Sequence, residues 1–339
     1  MTFLQRLAPN SVVVFRALHL GDMLCAVPAL RALRRSLPAA CITLVGLPWA
    51  RQFAQRFGAY IDAFFAFPGH TMLPEQSFVH ERAEEFYAAM QAQRFGLAVQ
   101  LHGSGNISNR VIAGLGAQAM AGFGAQTAPG GGFLPYPAMG AEPLRLLQLT
   151  DRLGAPAAGT QLEFPLTTHD ERELRDSGIG DGLVPHSYLC IHPGARDRGK
   201  CWPPALFAVV ADRLADESGL RVVLTGSAAE ADLSAAVARH MRHPAIDAAA
   251  PISIGAMAAL MSRARLLVCN DTGVSHIAAG LKLPSVVIFS KADIQRWAPL
   301  DRALHRCLWD PDGEQVDAVL RHARSLLANA GAGHDTAST

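Results

Sequence analysis

The sequence predicts an α/β protein made of two doubly wound domains, each a parallel sheet covered by helices. Three observations predict it. Short β-branched or apolar runs alternate with helix-length stretches in both halves of the chain, the pattern of βαβ units. Polar, glycine-containing turns follow several of these runs directly, at residues 16–22, 102–106, 192–200 and 270–273. At 339 residues the chain exceeds one ordinary core, and with 50% hydrophobic residues it has apolar material for two. The expected domains are residues 1–165 and 166–330, with a polar tail at 331–339 expected to be disordered.

Charge and cysteine usage narrow the function class. The net charge is +1, which argues against nucleic-acid binding by bulk charge. Residues 1–165 carry 12 Lys and Arg against 9 Asp and Glu, and the remainder 18 against 20, a slight lean of the first half toward anionic partners. The only lysines are Lys200, Lys282 and Lys291. The six cysteines form no C-x-x-C pair and several sit in apolar runs, so reduced, mostly buried thiols of a cytoplasmic protein are expected, with no metal site. No run of about 18 apolar residues predicts a membrane span. Residues 1–10 lack the pattern of a secretory signal.

In the first half, Ser11–Phe15 is a buried strand by its β-branched run, followed by Arg16-Ala17-Leu18-His19-Leu20-Gly21-Asp22. A helix is expected from about Asp22 to Leu37, bent at Pro28. Asp22 at its start has two readings. It is a helix cap, or it is a general base at the carboxyl end of the first strand, where open α/β sheets place ligands. A strand at Cys41–Leu47 and a helix at Arg51–Phe57 complete a right-handed βαβ unit. The run Phe64–Phe67 precedes an acidic amphipathic helix at about Gln76–Gln93. Leu97–Leu101 is a strand ending in His102-Gly103-Ser104-Gly105-Asn106. His102, Asn106 and Arg110 are candidate substrate contacts there, although loop polarity alone gives the same appearance. Residues 127–140, rich in Gly, Pro and Ala, read as a mobile surface loop and not a P-loop. A leucine-rich helix follows, and Gly154–Thr168 reads as the interdomain connection.

In the second half, the strand Tyr188–Ile191 runs into His192-Pro193-Gly194 and on through Lys200 to Trp202-Pro203. Lys200 is either a solvated loop lysine or a point charge that reaches a phosphate. A helix at Ala205–Ser218 ends on Gly219 as its C-cap. A strand and turn follow at Val222–Gly226, then a helix with Glu230 near its start. A further helix closes at Arg263. The strand at Leu266–Val268 then leads to Asn270-Asp271-Thr272-Gly273. A helix starting there points its free N–H groups and positive dipole end outward, a ready anion site. Ser285–Phe289 is expected to be the last strand, with a terminal helix at about Glu314–Ala330. Asp310-Pro311-Asp312 matches an Asp-x-Asp metal pattern but reads as a plain turn.

Three stretches taken together resemble the family 9 glycosyltransferases, the lipopolysaccharide heptosyltransferases and their relatives. They are Arg16–Pro28 with its Leu-Gly-Asp then Pro, His192-Pro193-Gly194 through Lys200 to Trp202-Pro203, and Asn270–Ala279 with Asp-Thr-Gly-x-x-His. The resemblance runs from residue 11 to about 300. It implies a glycosyltransferase-B fold, two Rossmann-like domains facing each other across a cleft, with the acceptor on the first and the nucleotide sugar on the second. It implies an inverting, metal-independent enzyme without cofactor. Its donor would be a nucleotide sugar, ADP-heptose in this family, and its acceptor an anionic lipid-linked glycan such as a lipopolysaccharide core. Cytoplasmic residence with peripheral contact to the inner membrane follows from that acceptor.

Residue by residue, the resemblance implies Asp22 as general base and Lys200 as the charge that neutralises the leaving diphosphate. The Thr272 and Gly273 amides would hold phosphates, Asp271 would contact donor-sugar hydroxyls or orient the turn, and His276 would support it. Gly194 belongs to the donor loop, and Glu230 would accept from the nucleotide ribose. Two departures stand out. Phe289-Ser290-Lys291 replaces the family's Phe-Gly-Pro and makes Lys291 a candidate extra phosphate contact. His19 stands where smaller residues are usual and joins the acceptor-side candidates.

Overall fold

The computed structural model describes residues 1–124 and 131–332. The chain divides into two compact units, Met1–Leu162 and Glu163–Thr339. The division falls inside the Gly154–Thr168 interval.

The first unit holds six strands: β1 (Ser11–Phe15), β2 (Cys41–Gly46), β3 (Ala63–Ala66), β4 (Leu97–Gln100), β5 (Ala119–Phe123) and β6 (Phe133–Leu134). They pair in the order β3-β2-β1-β4-β5-β6, and every pairing is parallel. The second unit holds β7 (Tyr188–His192), β8 (Arg221–Gly226), β9 (Ala245–Ala249), β10 (Leu267–Asn270), β11 (Ser285–Phe289) and β12 (His305–Trp309). Their order is β12-β11-β10-β7-β8-β9, again all parallel. Counted within each unit, both sheets follow the doubly wound order 3-2-1-4-5-6. The direction of winding reverses between β1 and β4 in one sheet, and between β7 and β10 in the other.

Central strands are buried on both faces, which is why they read as continuous apolar runs and not as alternations. Val12 to Phe15 and Leu189 to Ile191 are at most 1% exposed. On the first sheet Val13, Phe15, Phe67, Phe86 and Met90 pack into one cluster with Val111 and Ile112. On the second, Ile191, Phe207, Leu224, Val268 and Leu320 pack around Trp202. Burying side chains of this size contributes about 1.5–3 kcal/mol each. These cores make the strand ends rigid platforms.

Several elements differ from expectation. The helix expected over Asp22–Leu37 is two helices, Leu20–Cys25 and Val27–Ser36, because Pro28 has no N–H to continue the ladder and the chain resets at Ala26. Its N-cap is His19, so Asp22 is the third helical residue and not the cap. Ser285–Phe289 is not the last strand. β12 follows and pairs with β11 on its outer side, its Arg306 and Cys307 only half-buried, so its sequence lacks the apolar signature of a central strand. β6 and β9 are likewise edge strands and β5 lies next to an edge, and all three have few β-branched residues. The acidic helix begins at His80, four residues late. Of the glycine-rich 127–140 stretch, residues 127–130 lie outside the described residues, and Phe133–Leu134 form β6. The terminal helix, Val316–Ala332, takes in Gly331 and Ala332, which were expected in the tail, and residues 333–339 lie outside the described residues. Gly219 caps its helix in the left-handed region at φ 69°, as expected.

The six cysteines are free. Cys25, Cys190 and Cys269 are buried, Cys201 and Cys307 half-buried, and Cys41 exposed. Burial pushes the Cys190 thiol up to about 12 and Cys307 to about 11, so neither is a nucleophile near neutral pH.

Candidate functional site

The sequence-predicted residues gather at the two switch points, one in each unit. In the first unit β1 ends at Phe15, and the chain turns through Arg16–His19 into the helix Leu20–Cys25. The Arg16 guanidinium is 1% exposed and turns back under this turn. Its Nε and Nη2 donate to the Asp22 carbonyl at 3.0 and 2.8 Å, Nη1 donates to the Leu101 carbonyl, and Nη2 meets Glu142 Oε1 at 3.3 Å. The Asp22 side chain is half-buried in the first helical turn, where the helix dipole favours a carboxylate. Among the described residues it forms no hydrogen bond or ion pair.

His102 stands directly beyond β4. It is 6% exposed, stacks on Phe15 with ring centroids 5.2 Å apart, and accepts the Ala17 N–H on Nδ1 at 3.2 Å. That bond leaves the proton on Nε2, which lies 3.7 Å from Glu75 Oε1. Burial, with the Arg16 charge beside it, pushes the imidazole down to about 3 and keeps it neutral. His102 therefore ties the turn after β1 to the turn after β4. Asn106 and Arg110 are exposed on the β4 side of this end, and His19 is half-buried at the N-cap.

In the second unit β7 ends at His192, and the loop runs through Gly194 and a tight turn at Arg198–Lys200 to the helix Pro204–Ser218. Lys200 Nζ lies 2.9 Å from Asp271 Oδ2, a pair between the loop after β7 and the end of β10. Asp271 is 7% exposed at its side chain and Lys200 30%. Thr272 is the N-cap of the helix Gly273–Leu281 and adopts an extended backbone, yet its side chain makes no capping hydrogen bond. Thr272 and Gly273 are half-buried. The first-turn N–H groups thus sit beside the Lys200–Asp271 pair, and together they can hold an anion. His276, one turn further, is buried and lies near enough to His305 to depress its basicity.

Glu230 approaches the same loop from the β8 side. A Cβ at residue 194 would collide with its Oε1, so only glycine permits the contact. Glu230 Oε2 accepts from the Ser227 N–H and Oγ–H at 2.9 and 2.7 Å. Burial raises its pKa, but the Ser227 bonds, His192 and Arg198 outweigh this and hold the carboxyl below its ordinary range. It is an ionised acceptor with Oε1 directed at Gly194.

The replacement at Ser290-Lys291 acts on this loop. Ser290 Oγ donates to the Lys200 carbonyl at 3.2 Å, and Lys291 Nζ reaches Asp197 Oδ2 at 3.4 Å. Two further residues hold this loop in place. Asn270, fully buried, accepts the Trp202 N–H at 2.9 Å and donates to the Pro193 carbonyl at 2.8 Å, stitching both flanks of the Lys200 loop to β10. Asp310 takes Trp202 Nε1–H at 2.8 Å and the N–H groups of Gly313, Glu314 and Gln315, so the Asp-x-Asp stretch is a structural turn. A polar residue immediately after an apolar strand was the available signal for Asn270, and likewise for Arg16.

A model of glycosyltransferase family 9 (heptosyltransferase) matches residues 88–319, two of the three motif stretches among them. The chain belongs to glycosyltransferase family 9. Among curated relatives of this family 9 chain, lipopolysaccharide heptosyltransferase 3 of Escherichia coli is 33% identical over 131 residues, 38% of this chain and 37% of that protein. Lipopolysaccharide heptosyltransferase 1 of Pseudomonas aeruginosa is 29% identical over 134 residues, 36% of its length. The alignments thus span little more than a third of these relatives. Among solved structures, a family 9 glycosyl transferase from Veillonella parvula superposes with a TM-score of 0.78 at 19% identity, over 94% of this chain and 97% of its own. The ADP-heptose lipopolysaccharide heptosyltransferase II of E. coli gives 0.73 at 17% identity, over 95% and 99%. These superpositions establish the glycosyltransferase-B fold. No helix among the described residues is long and apolar enough to cross a membrane.

Proposed function

We propose that this family 9 protein transfers a heptose from ADP-heptose to a lipopolysaccharide core or a related anionic, lipid-linked glycan, with inversion and without a metal. The first unit would take the acceptor and the second the nucleotide sugar. The reading rests on family membership together with one observation, the Lys200–Asp271 pair beside the helix N-terminus at Thr272-Gly273. A cation next to first-turn amides suits a diphosphate better than any neutral ligand.

In this reading the Asp22 carboxylate takes the proton from an acceptor hydroxyl as its oxygen bonds to the anomeric carbon. The bond from that carbon to the diphosphate oxygen breaks, and ADP leaves with the electron pair. Lys200 then exchanges part of its contact with Asp271 for the diphosphate, which frees Asp271 Oδ2 for a donor-sugar hydroxyl. The amides of Thr272 and Gly273 stabilise the charge that develops on the leaving oxygens. Glu230 accepts from the ribose diol across Gly194, and His276 supports the turn. His19, Asn106 and Arg110 line the acceptor side, and His102 holds the loops behind them. Contact with the inner face of the bacterial inner membrane would come through the lipid of the acceptor, at the periphery of a cytoplasmic protein.

The test is mass spectrometry after incubation with ADP-heptose and lipid-A-core acceptors. The expected product is heavier by one heptose. Titration calorimetry with ADP-, UDP- and GDP-sugars reads the donor separately. Binding of a UDP- or GDP-sugar in preference to ADP-heptose would overturn the donor assignment.

A further inference from the structure

The cluster beneath Asp22 has no role in the chemistry described above. Arg16, Glu142 and Arg145 are 1%, 2% and 3% exposed, an arginine–glutamate–arginine triad inside the first unit. Charges buried to this degree destabilise a fold unless nearly every donor and acceptor is matched. Here they are matched largely by main chain. Glu142 Oε1 meets Arg16 at 3.3 Å and Oε2 lies 4.0 Å from Arg145 Nη1. Arg145 donates to the carbonyls of Ala138 and Met139 at 2.9 and 3.3 Å, and its guanidinium lies over the Tyr136 ring. Arg16 donates to the carbonyls of Asp22 and Leu101.

The Asp22 carbonyl is open to Arg16 for a reason written in the sequence. In an unbroken helix it would accept the Ala26 N–H. The helix ends before Pro28, and the Ala26 N–H goes to Met23 and Leu24 instead. The orphaned carbonyl is taken by two N–H groups of one planar guanidinium, which fixes both the position and the tilt of the Asp22 peptide. The same guanidinium grips the chain leaving β4 through Leu101. Asp22 is thus held from below by its backbone, while its carboxylate has no partner among the described residues.

We infer that Arg16, itself fixed by Glu142, is the positioning residue for Asp22. This rests on the reading of Asp22 as general base. Arg16 sets where the carboxylate stands and takes no part in proton transfer. Lysine at this position keeps the charge but cannot fork onto two carbonyls and Glu142 together.

The experiment measures kcat and donor KM for Arg16→Lys, Glu142→Gln and Asp22→Asn, with folding followed by circular dichroism and thermal midpoint. Displacing a reacting group by about 1 Å costs on the order of 100-fold. Arg16→Lys should therefore lower kcat about 10- to 100-fold, and Glu142→Gln less, with donor KM within about threefold. Arg16→Ala leaves a guanidinium-shaped space, so millimolar guanidinium should restore part of its kcat while equal urea or methylammonium does not. A purely structural residue would lower the midpoint and leave kcat of the folded protein, and its response to guanidinium, unmoved. Should Arg16→Ala fail to fold, Arg16→Lys and Glu142→Gln decide alone. Wild-type kcat in both, with Asp22→Asn inactive, overturns the positioning pair. Full activity in Asp22→Asn overturns the base assignment instead.

Discussion

The two sheets share one strand order but use their switch points differently. Beyond β1 and β4 the cation is buried. Arg16 is consumed by carbonyls and Glu142, and the carboxylate of Asp22 stays unpaired among the described residues. Beyond β7 and β10 the cation is partly exposed. Lys200 pairs directly with the acid of its own site, Asp271, next to first-turn helix amides. The first arrangement presents a lone carboxylate on a stiff backbone, and the second presents exchangeable positive charge. Topology places a crevice at each point. Which chemistry it serves depends on whether the arginine or lysine is buried under the turn or left above it.

The strongest test of this contrast is Asp22→Asn, which keeps the shape and removes the proposed base. A general base contributes about 10²–10⁴-fold, so kcat should fall roughly 10³-fold with donor KM little changed. A loss confined to donor KM would break the contrast, since it would make the first switch point a binding site and not a proton acceptor.

Acid sharpens the comparison through one buried histidine in each unit. His102 is pushed down to about 3, by burial and then Arg16, and His305 to about 4, chiefly by burial. Both stay neutral when folded, whereas the unfolded imidazoles gain a proton as pH falls through 6.5. The unfolded state thus binds more protons, and stability present at pH 7 drains away between 6.5 and about 4. Each histidine should cost on the order of 3 kcal/mol by pH 4, read as a fall in urea-unfolding free energy. His102→Asn and His305→Asn should each remove part of that slope, and an unchanged slope in both rules out these groups as its source.

Lys200→Ala comes next. Removing one preorganised contact to developing charge costs about 10²-fold in kcat. Lys200→Arg should recover part of it, because the charge and its reach to Asp271 persist. Retained kcat in Lys200→Ala would disconnect the ion pair from turnover.

Smaller still is Asn270→Ala, which strands the Trp202 N–H and the Pro193 carbonyl in the interior. About 2 kcal/mol of stability should go, measured by chemical denaturation, with donor KM rising as the Lys200 loop loosens. Lys291→Ala should have the least effect, under about 0.5 kcal/mol and less than twofold in donor KM, because its partner Asp197 is as exposed as Lys291 itself. A tenfold rise in KM would assign Lys291 to the donor after all.

The central strands β1, β2, β4, β7, β8, β10 and β11 were legible because burial on both faces demands unbroken apolar runs. β12 was not. Ser285–Phe289 was expected to be the last strand, and His305–Trp309 becomes one more only because β11 offers a free edge. Pro28 announced a bend, but whether the helix would bend or restart depended on where Ala26 found an acceptor. Family membership was legible in three short motifs, although the matched residues 88–319 leave the first of them outside.

Among the site residues, Gly194 and Glu230 were read separately. Their contact depends on the β7 and β8 loops meeting, which no local pattern encodes.

What the sequence determines by itself is local. It sets strand against helix by periodicity, turns by glycine, proline and cap chemistry, and the positions of polar residues that follow apolar runs. What only the tertiary structure decides is which of those residues meet. Lys200 reaches Asp271 across 71 positions and Arg16 reaches Glu142 across 126. Such pairs arise because parallel strands are joined by helical crossovers, which bring distant carboxyl ends to one edge of the sheet. A charge seen in the chain is therefore only a candidate. Burial at that edge makes Arg16 a clamp, and partial exposure at the matching edge leaves Lys200 able to exchange partners.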